Sequence, residues 1–421
     1  MAKRPRSSAR PRASAKRPAR NRAKPAPDSR SRANEPKRRG GAPRLPLDGI
    51  RVVEFSHMVM GPTCGMILGD LGAEVIKVEP PGGDKTRRLI GSGAGFFALF
   101  NRNKKSVTAD LSDRQDRARI EKLIASADIV SENFRAGALA KYGFDYASLK
   151  KTHKRLIYVS HKGFLPGPYD HRVALDEVVQ MMAGLAYMTG PPGRPLRAGS
   201  SVNDIMGGMF GVIGALAALA ERDRTGRGQE VQVGLFENCV LLSAQHMLQY
   251  RLTGVASPPM PDRINAWGVF DLFDTADGEQ VFLGVVTDTQ WAVFGRAFDL
   301  GGLADDPRLA SNNLRVEARA WMLPALREIV KRYSSKDLQA VFEREGLPYA
   351  PIVRPEQLFD DPHLLASGGL ANLTMENGAT LPVPPLPILL DGRHLKPRMP
   401  LPRIGEHNAE LARAAKPRKR R

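Results

Sequence analysis

Four short apolar runs in the first 160 residues alternate with segments whose apolar positions recur at helical spacing. Residues 51–55 (RVVEF), 74–78 (EVIKV), 128–131 (DIVS) and 156–160 (LIYVS) read as buried parallel strands, with helices over 64–71 and 114–126 between them. Strands alternating with helices predict an α/β fold with a parallel sheet. The loop after the first strand, 57–62 (HMVMGP), lacks the G-x-G-x-x-G spacing of a dinucleotide fingerprint. A long apolar helix is expected over about 205–222, stopped by 225–228 (TGRG), and 229–235 (QEVQVGL) is a further strand candidate. Beyond it the pattern changes. Residues 252–268 read as loop, and 270–286 as strands broken at Asp277-Gly278, a hairpin turn signal. Helical spacing returns near 289–298 and 321–333.

A chain of 421 residues is long for one core. The expected division is a disordered basic tail at 1–42 and the first part of a large domain at 43–229, with folding from about Leu45. A small domain at 230–335, a return segment to the large domain at 336–415 and a second basic tail at 416–421 complete it. The net charge of +19 suggests nucleic acid until it is located. Residues 1–40 hold 15 Lys and Arg against Asp28 and Glu35, and 416–421 (KPRKRR) add +5, which leaves +1 for the remaining 375 residues. The body is nearly neutral, so nucleic acid is not expected as a partner beyond weak binding by the tails. The first 42 residues carry almost no apolar side chain larger than alanine and cannot offset the entropy of ordering. They read as a solubilising or weakly anion-binding extension, with a nucleic-acid arm or a targeting peptide as the alternatives.

The most apolar run, 205–220, lies between Asp204 and Glu221-Arg222-Asp223-Arg224 and reads as a buried helix too short to span a bilayer, so no membrane partner is expected. Two cysteines, Cys64 and Cys239, fit a reducing, cytoplasmic compartment and read as small core residues. Eight scattered histidines show no metal-binding spacing, and no G-x-S-x-G elbow is present. No metal and no permanently bound cofactor are expected.

Two acids beside small residues stand out: Asp176 in HRVALDEVVQ and Asp204 in AGSSVNDIMGG. Asp204 opens the long apolar helix. Aspartate is a preferred N-cap, worth about 1 kcal/mol. The same place suits a nucleophile, because free N–H groups and the helix dipole favour an ionised carboxylate. Gly207 and Gly208 would let a substrate approach the first turn. Basic residues Arg87, Arg88, Arg102, Lys104, Lys105, Arg135, Lys141 and Lys162 fall near the ends of the early strands, where they form either a phosphate site or a solvated face.

Seven segments together resemble the class III CoA-transferase family, which includes formyl-CoA and carnitine CoA-transferases and the α-methylacyl-CoA racemases. They are LDGIRVVEFSHMVMGP (47–62), LGDLGAEVIKVEPPGGDKTR (68–87), LFNRNKKSVTADL (99–111), ADIVSENFRAGALAKYGFDYASL (127–149), GLAYMTGPPGRPLRAGSSVNDIMGG (184–208), ALAERDRTGRGQEVQVGLFE (218–237) and IGEHN (404–408). One alone is weak; the ordered set over about 45–410 is specific.

The resemblance implies a large Rossmann-like domain whose parallel sheet draws on both chain ends, a smaller α+β domain, and a homodimer of interlocked subunits. It implies acyl-CoA and carboxylic acid substrates, with the coenzyme A thioester as a substrate rather than a resident group. The nucleophilic aspartate of the family falls on Asp204. CoA contacts fall on His57, Val59 and Met60, on Ala109 and Asp110, and on Asn133, Phe134 and Arg135. Lys141 takes the place of a phosphate-contacting base, and Lys162 and Asp176 lie where the CoA or acyl site is lined.

The implied reaction passes through an acyl-aspartyl anhydride and an aspartyl-CoA thioester, with backbone N–H groups near Asp204 as oxyanion donors. Racemases of the family carry a His-Asp pair where this chain has Leu175-Asp176, and leucine transfers no proton. A 2-methylacyl-CoA racemase is therefore the alternative rather than the expectation. Residues 252–268 lack the glycine-rich loop of the formyl branch, which favours a dicarboxylic acid such as succinate, or a larger acyl acid, as one substrate.

Overall fold

The structure is a computed structural model that describes residues 44–413 apart from Ala136 and Ile264; both basic tails, 1–42 and 416–421, lie outside the described residues. A compact unit begins at Leu45. Its centre is a six-stranded parallel sheet of β1 (Arg51–Phe55), β2 (Glu74–Glu79), β3 (Lys104–Thr108), β4 (Ile129–Glu132), β5 (Ile157–Lys162) and β6 (Glu230–Gly234). The order is β3-β2-β1-β4-β5-β6. The chain travels outward from β1 to β3 and then returns to place β4 against the other side of β1. The topological switch point, where sheets of this kind bind ligands, therefore lies between β1 and β4. Successive residues of β1 face two different cores. Val52 packs with Ile67, Leu68, Val212 and Leu219, whereas Val53 and Phe55 pack with Ile120 and Ile124. Burial on both faces gives these strands their continuous apolar runs.

The strand the apolar pattern hides is β3, because it opens on two lysines. Lys104 is wholly buried: its ammonium lies 2.9 Å from both oxygens of Glu54 and donates to the Pro62 carbonyl at 2.9 Å and to Asn101 Oδ1 at 3.1 Å. The outer edge of β3 is closed by the IGEHN segment. His407 N–H donates to the Ser106 carbonyl at 3.0 Å, and Asn408 Oδ1 accepts from Thr108 N–H at 2.9 Å.

The long helix spans Val202–Thr225, starting three residues before the expected 205. Its glycines set its distance from the sheet. A Cβ on Gly207 would fall 2.4 Å from Met60 Cε, on Gly208 2.5 Å from Thr63 Cβ, and on Gly211 2.5 Å from His161 Cε1. The absent side chains let the helix lie on the helix Met60–Asp70 and on β5. Gly207 and Gly208 thus serve packing rather than the approach of a substrate. By length and composition this helix could cross a bilayer; here its glycine face is packed inward, and Met209, Ile213 and Leu216 on its other side are exposed.

A second helix, Leu235–Thr253, has no one-sided apolar stripe: Leu235 and Cys239 are buried while Leu241, Leu242, Met247 and Leu248 are exposed. That absence of amphipathic contrast hides the helix from sequence periodicity. Past it stands a separate core. An antiparallel sheet of β7 (Val269–Asp274), β8 (Gln280–Val285) and β9 (Tyr349–Pro351) turns at Gly278, φ +78°, and packs on helices Asp288–Ala297, Arg319–Val330 and Ser335–Glu345. Phe273, Leu283, Phe294, Met322, Leu326 and Phe342 form its centre.

Candidate active site

The carboxyl ends of β1 and β4 meet at the switch point, where segments 76 residues apart touch. Asn133 Oδ1 accepts the N–H of His57 at 3.0 Å and lies 3.1 Å from its Nδ1, while Asn133 Nδ2 donates to the His57 carbonyl at 2.8 Å. The His57 ring stacks on Phe134 with centroids 5.5 Å apart. Met58, next in the loop, sits at φ +62°, a strained value for a side chain of its size. It is held by donating its N–H to Thr86 Oγ1 at 3.1 Å. Asp84 fixes Thr86 and pairs at 2.9 Å with buried Lys77, which donates to the Ser56 carbonyl at 2.6 Å. A chain of buried charge therefore sets the loop that presents His57.

Val59 and Met60 turn inward and are buried. Met60 packs on Gly207, one helical turn beyond Asp204, and so joins the β1–β4 crevice to the head of the long helix. Beyond β4, Lys162 donates to Glu132 at 2.9 Å, and Glu132 also accepts from Phe134 N–H at 2.9 Å and from Ser160. Arg135, Lys150 and Lys162 line a cleft of about 250 Å³ with Glu132, Asp145 and Tyr146. Lys150 was not singled out in the sequence; it reads there as an ordinary lysine at a helix end. Exposed Lys141 rests over the ring of Tyr142 at 4.7 Å. Ala109 and Asp110 follow β3 at the same end of the sheet, with β2 between them and His57. Ala109 is buried, and Asp110 accepts from Ser112 N–H at 2.8 Å.

Of the other basic candidates, Arg88 is exposed and donates to the Gly82 carbonyl at 2.9 Å, while the remaining four are neither a phosphate site nor a solvated face. Arg87 pairs with Glu79 at 2.6 Å, Arg102 with Asp70 at 2.7 Å, Lys104 with Glu54 at 2.9 Å and Lys105 with Glu74 at 3.0 Å. Lys104 and Lys105 moreover stand at the amino end of β3, away from the crevice. Cys64 is no nucleophile: burial pushes its thiol up to about 12.

Asp204 lies in the first turn of the long helix, three residues past the N-cap Ser201, whose side chain makes no capping bond. Capping comes from elsewhere. Asp176 Oδ2 accepts the N–H groups of Asn203 at 2.9 Å and Asp204 at 3.2 Å. Val202 N–H goes to the Ser200 carbonyl at 2.8 Å and Ile205 N–H to the Ser201 carbonyl at 3.0 Å. Every N–H of the turn is thus occupied, and three expectations are corrected together. Asp204 is not the cap, the free N–H groups do not hold it ionised, and they are not available as oxyanion donors. Instead burial, and after it the charge of Asp176, pushes the Asp204 carboxyl up to about 7, with Arg197 opposing.

Asp176 is itself buried, with Gln180 Nε2 donating to Oδ1. Gln180 Oε1 in turn accepts from Ala198 N–H at 2.8 Å. Arg197 stands over this group, its terminal nitrogens 3.5 Å from Asp176 and 3.7 Å from Glu177. A carboxyl that titrates near neutrality is present as the anion in useful amount and is more basic than an ordinary aspartate, which suits attack on an activated acyl carbon.

This crevice-and-carboxylate arrangement belongs to a defined class. Residues 47–408 match the model of CoA-transferase family III, and the chain belongs to that family. It is a CoA-transferase. It is 34% identical over 379 residues to the succinate–glutarate CoA-transferase of Agrobacterium fabrum, spanning 87% of this chain and 94% of that one. It is 34% identical over 332 residues to the succinyl-CoA–D-citramalate CoA-transferase of Chloroflexus aurantiacus, spanning 77% and 82%. A crystal structure of a CAIB/BAIF family protein from Brucella suis superposes with a TM-score of 0.79 at 34% identity, covering 89% of this chain and all of that one.

Proposed function

We propose that the protein moves CoA from an acyl-CoA to a free carboxylic acid through covalent intermediates on Asp204. The observation that carries this is a carboxyl poised near 7 at the head of a helix whose N–H groups a second aspartate occupies. The Asp204 carboxylate attacks the thioester carbonyl; the C–S bond breaks, CoA thiolate leaves, and an acyl-aspartyl anhydride remains. The thiolate attacks the aspartyl carbonyl of that anhydride, releasing the donor acid as its carboxylate and leaving an aspartyl-CoA thioester. The acceptor carboxylate attacks this thioester and displaces the thiolate, which then takes the acceptor acyl group and restores Asp204. Each step exchanges one carboxylate or thiolate for another, so no proton is gained or lost overall. A carboxylate is required because only an acid forms both an anhydride and a thioester.

His57, Val59, Met60, Asn133 and Phe134 are assigned to the pantetheine arm in the β1–β4 crevice of a Rossmann-like domain. Arg135, Lys141, Lys150 and Lys162 are assigned to the phosphates, with Ala109 and Asp110 at the rim. The relatives named for succinate, glutarate and citramalate support a dicarboxylic acid as one substrate. A racemase needs a second proton-transfer group beside Asp176, and exposed Leu175 supplies none. The uncovered apolar faces of the helices Val202–Thr225 and Leu235–Thr253 support an interlocked homodimer. The free, buried cysteines fit a cytoplasmic enzyme. Removing residues 1–42 and 416–421 should leave turnover intact.

The test is trapping with hydroxylamine followed by peptide mass spectrometry. Modification at Asp204 that depends on acyl-CoA is expected. Modification at another residue, or full turnover in Asp204→Asn, overturns the assignment.

A further inference from the structure

Arg197 is held in an unusual way for an arginine between acids. Its Nε donates to the Ala198 carbonyl at 3.1 Å, which fixes the base of the fork. The terminal nitrogens, at 3.5 Å from Asp176 and 3.7 Å from Glu177, make no hydrogen bond among the described residues. Asp176 already accepts from Asn203, Asp204 and Gln180, so its oxygens are engaged elsewhere. The Arg197 side chain is about one third exposed, at 36%, whereas Asp176 beneath it is buried at 6%. The guanidinium therefore keeps accessible N–H groups that no acceptor fills at hydrogen-bond distance, and its charge acts on the Asp204 carboxyl. A planar fork with open N–H groups matches a carboxylate in two parallel hydrogen bonds.

Around it stand the carboxylates of Asp176 and Glu177, with the titrating Asp204 behind them. A substrate whose far end carries a second carboxylate would meet repulsion here without Arg197. A substrate with an apolar tail gains nothing from it. We propose that Arg197 is a specificity-determining residue that binds the distal carboxylate of a dicarboxylic acyl group while its proximal carboxyl reacts at Asp204. This rests on the reading of Asp204 as the nucleophile and names the substrate class for that site. Donor and acceptor acids occupy the same anhydride position in turn, so Arg197 serves both.

The experiment compares matched acceptors, succinate against butyrate and glutarate against valerate, at a saturating fixed acyl-CoA donor. Wild type, Arg197→Gln and Arg197→Lys are each assayed, with kcat and KM determined separately. Wild type is expected to favour the dicarboxylic acid of each pair. In Arg197→Gln, kcat/KM for the dicarboxylic acids should fall by about tenfold to a hundredfold, mostly through KM, as loss of a charge-assisted pair implies. Assayed at a pH above the acid limb of each enzyme, where Asp204 is ionised in all three, the monocarboxylic acids should change less than about threefold. Arg197→Lys should recover part of the preference, since a point charge replaces a fork.

Equal losses for both classes would assign Arg197 to general charge balance or to packing and overturn the proposal. So would a wild type that takes butyrate as readily as succinate. The two ideas fail separately: turnover in Asp204→Asn sinks the nucleophile, while a class-independent Arg197→Gln defect with Asp204→Asn inactive sinks only the distal-carboxylate role.

Discussion

The carboxylate of Asp176 accepts the backbone N–H of Asp204 at 3.2 Å, so one aspartate occupies the helix start and the other is left to titrate. The pair thereby divides two tasks a lone helix-opening aspartate would have to combine. Asp176 receives the favourable N–H field, and its charge, together with burial, raises Asp204 to about 7.

The acid limb of the pH profile follows from this pair. kcat/KM for the acyl-CoA donor should rise with pH and level off above about 7, as Asp204 becomes ionised in the free enzyme. Asp176→Asn removes a charge that raises Asp204 and should move the limb down; Arg197→Gln removes one that lowers it and should move the limb up. A limb that stays put in both variants would detach it from Asp204.

Stability carries the opposite sign. A carboxyl raised from 3.8 to about 7 on folding binds its proton more tightly in the native state. Its contribution is therefore most favourable below the unfolded value and is lost as pH climbs through 7. Asp204→Asn should be inactive yet more stable than wild type at pH 8, by about 1–3 kcal/mol after allowing for partial exposure. The difference should vanish at about pH 3, below the unfolded value. Urea midpoints at both pH values measure it.

Asn133 braces His57 through three contacts, so Asn133→Ala should raise the KM for acyl-CoA about tenfold with a smaller change in kcat. Lys141→Ala and Lys150→Ala should each raise the same constant by several-fold. Steady-state kinetics with one donor decide, and an unchanged KM removes the residue from the CoA site.

Lys104→Ala would leave buried Glu54 with only the longer, 3.7 Å pairing to Lys77 and the Ser56 hydroxyl, a loss of about 3 kcal/mol in urea unfolding. Gly208→Ala should cost about 1–3 kcal/mol, because the added Cβ meets Thr63 Cβ and the Met60 carbonyl. Gly207→Ala should cost less, since the nearest atom is the mobile tip of Met60.

The parts of the fold legible beforehand are those where one physical rule acts alone. Val52, Val53, Ile76, Val130 and Val159 are buried apolar residues in uninterrupted runs, and the strands built on them emerge within a residue or two. Rules that needed a distant partner did not show. Lys104 makes β3 look polar until Glu54, fifty residues away, is seen to neutralise it. The cap on the long helix comes from Asp176, twenty-eight positions earlier than the N–H it accepts from Asp204. Arg87 and Arg102 look like phosphate ligands in sequence because Glu79 and Asp70 reach them only in three dimensions. The residues of the crevice are legible only through the resemblance; that His57 and Asn133 touch is a consequence of the strand order.

The seal on β3 has a bearing on how the molecule is made. Ser106 and Thr108 obtain their outer partners from His407 and Asn408, about 300 positions later. During translation the β3 edge must wait, unpaired, while two cores condense behind it, and an open strand edge is a template for pairing with other chains. A segment made about 300 residues after β3 is then what retires that hazard, and a nascent chain arrested before residue 404 should be a client for chaperones even with every strand of the sheet already synthesised.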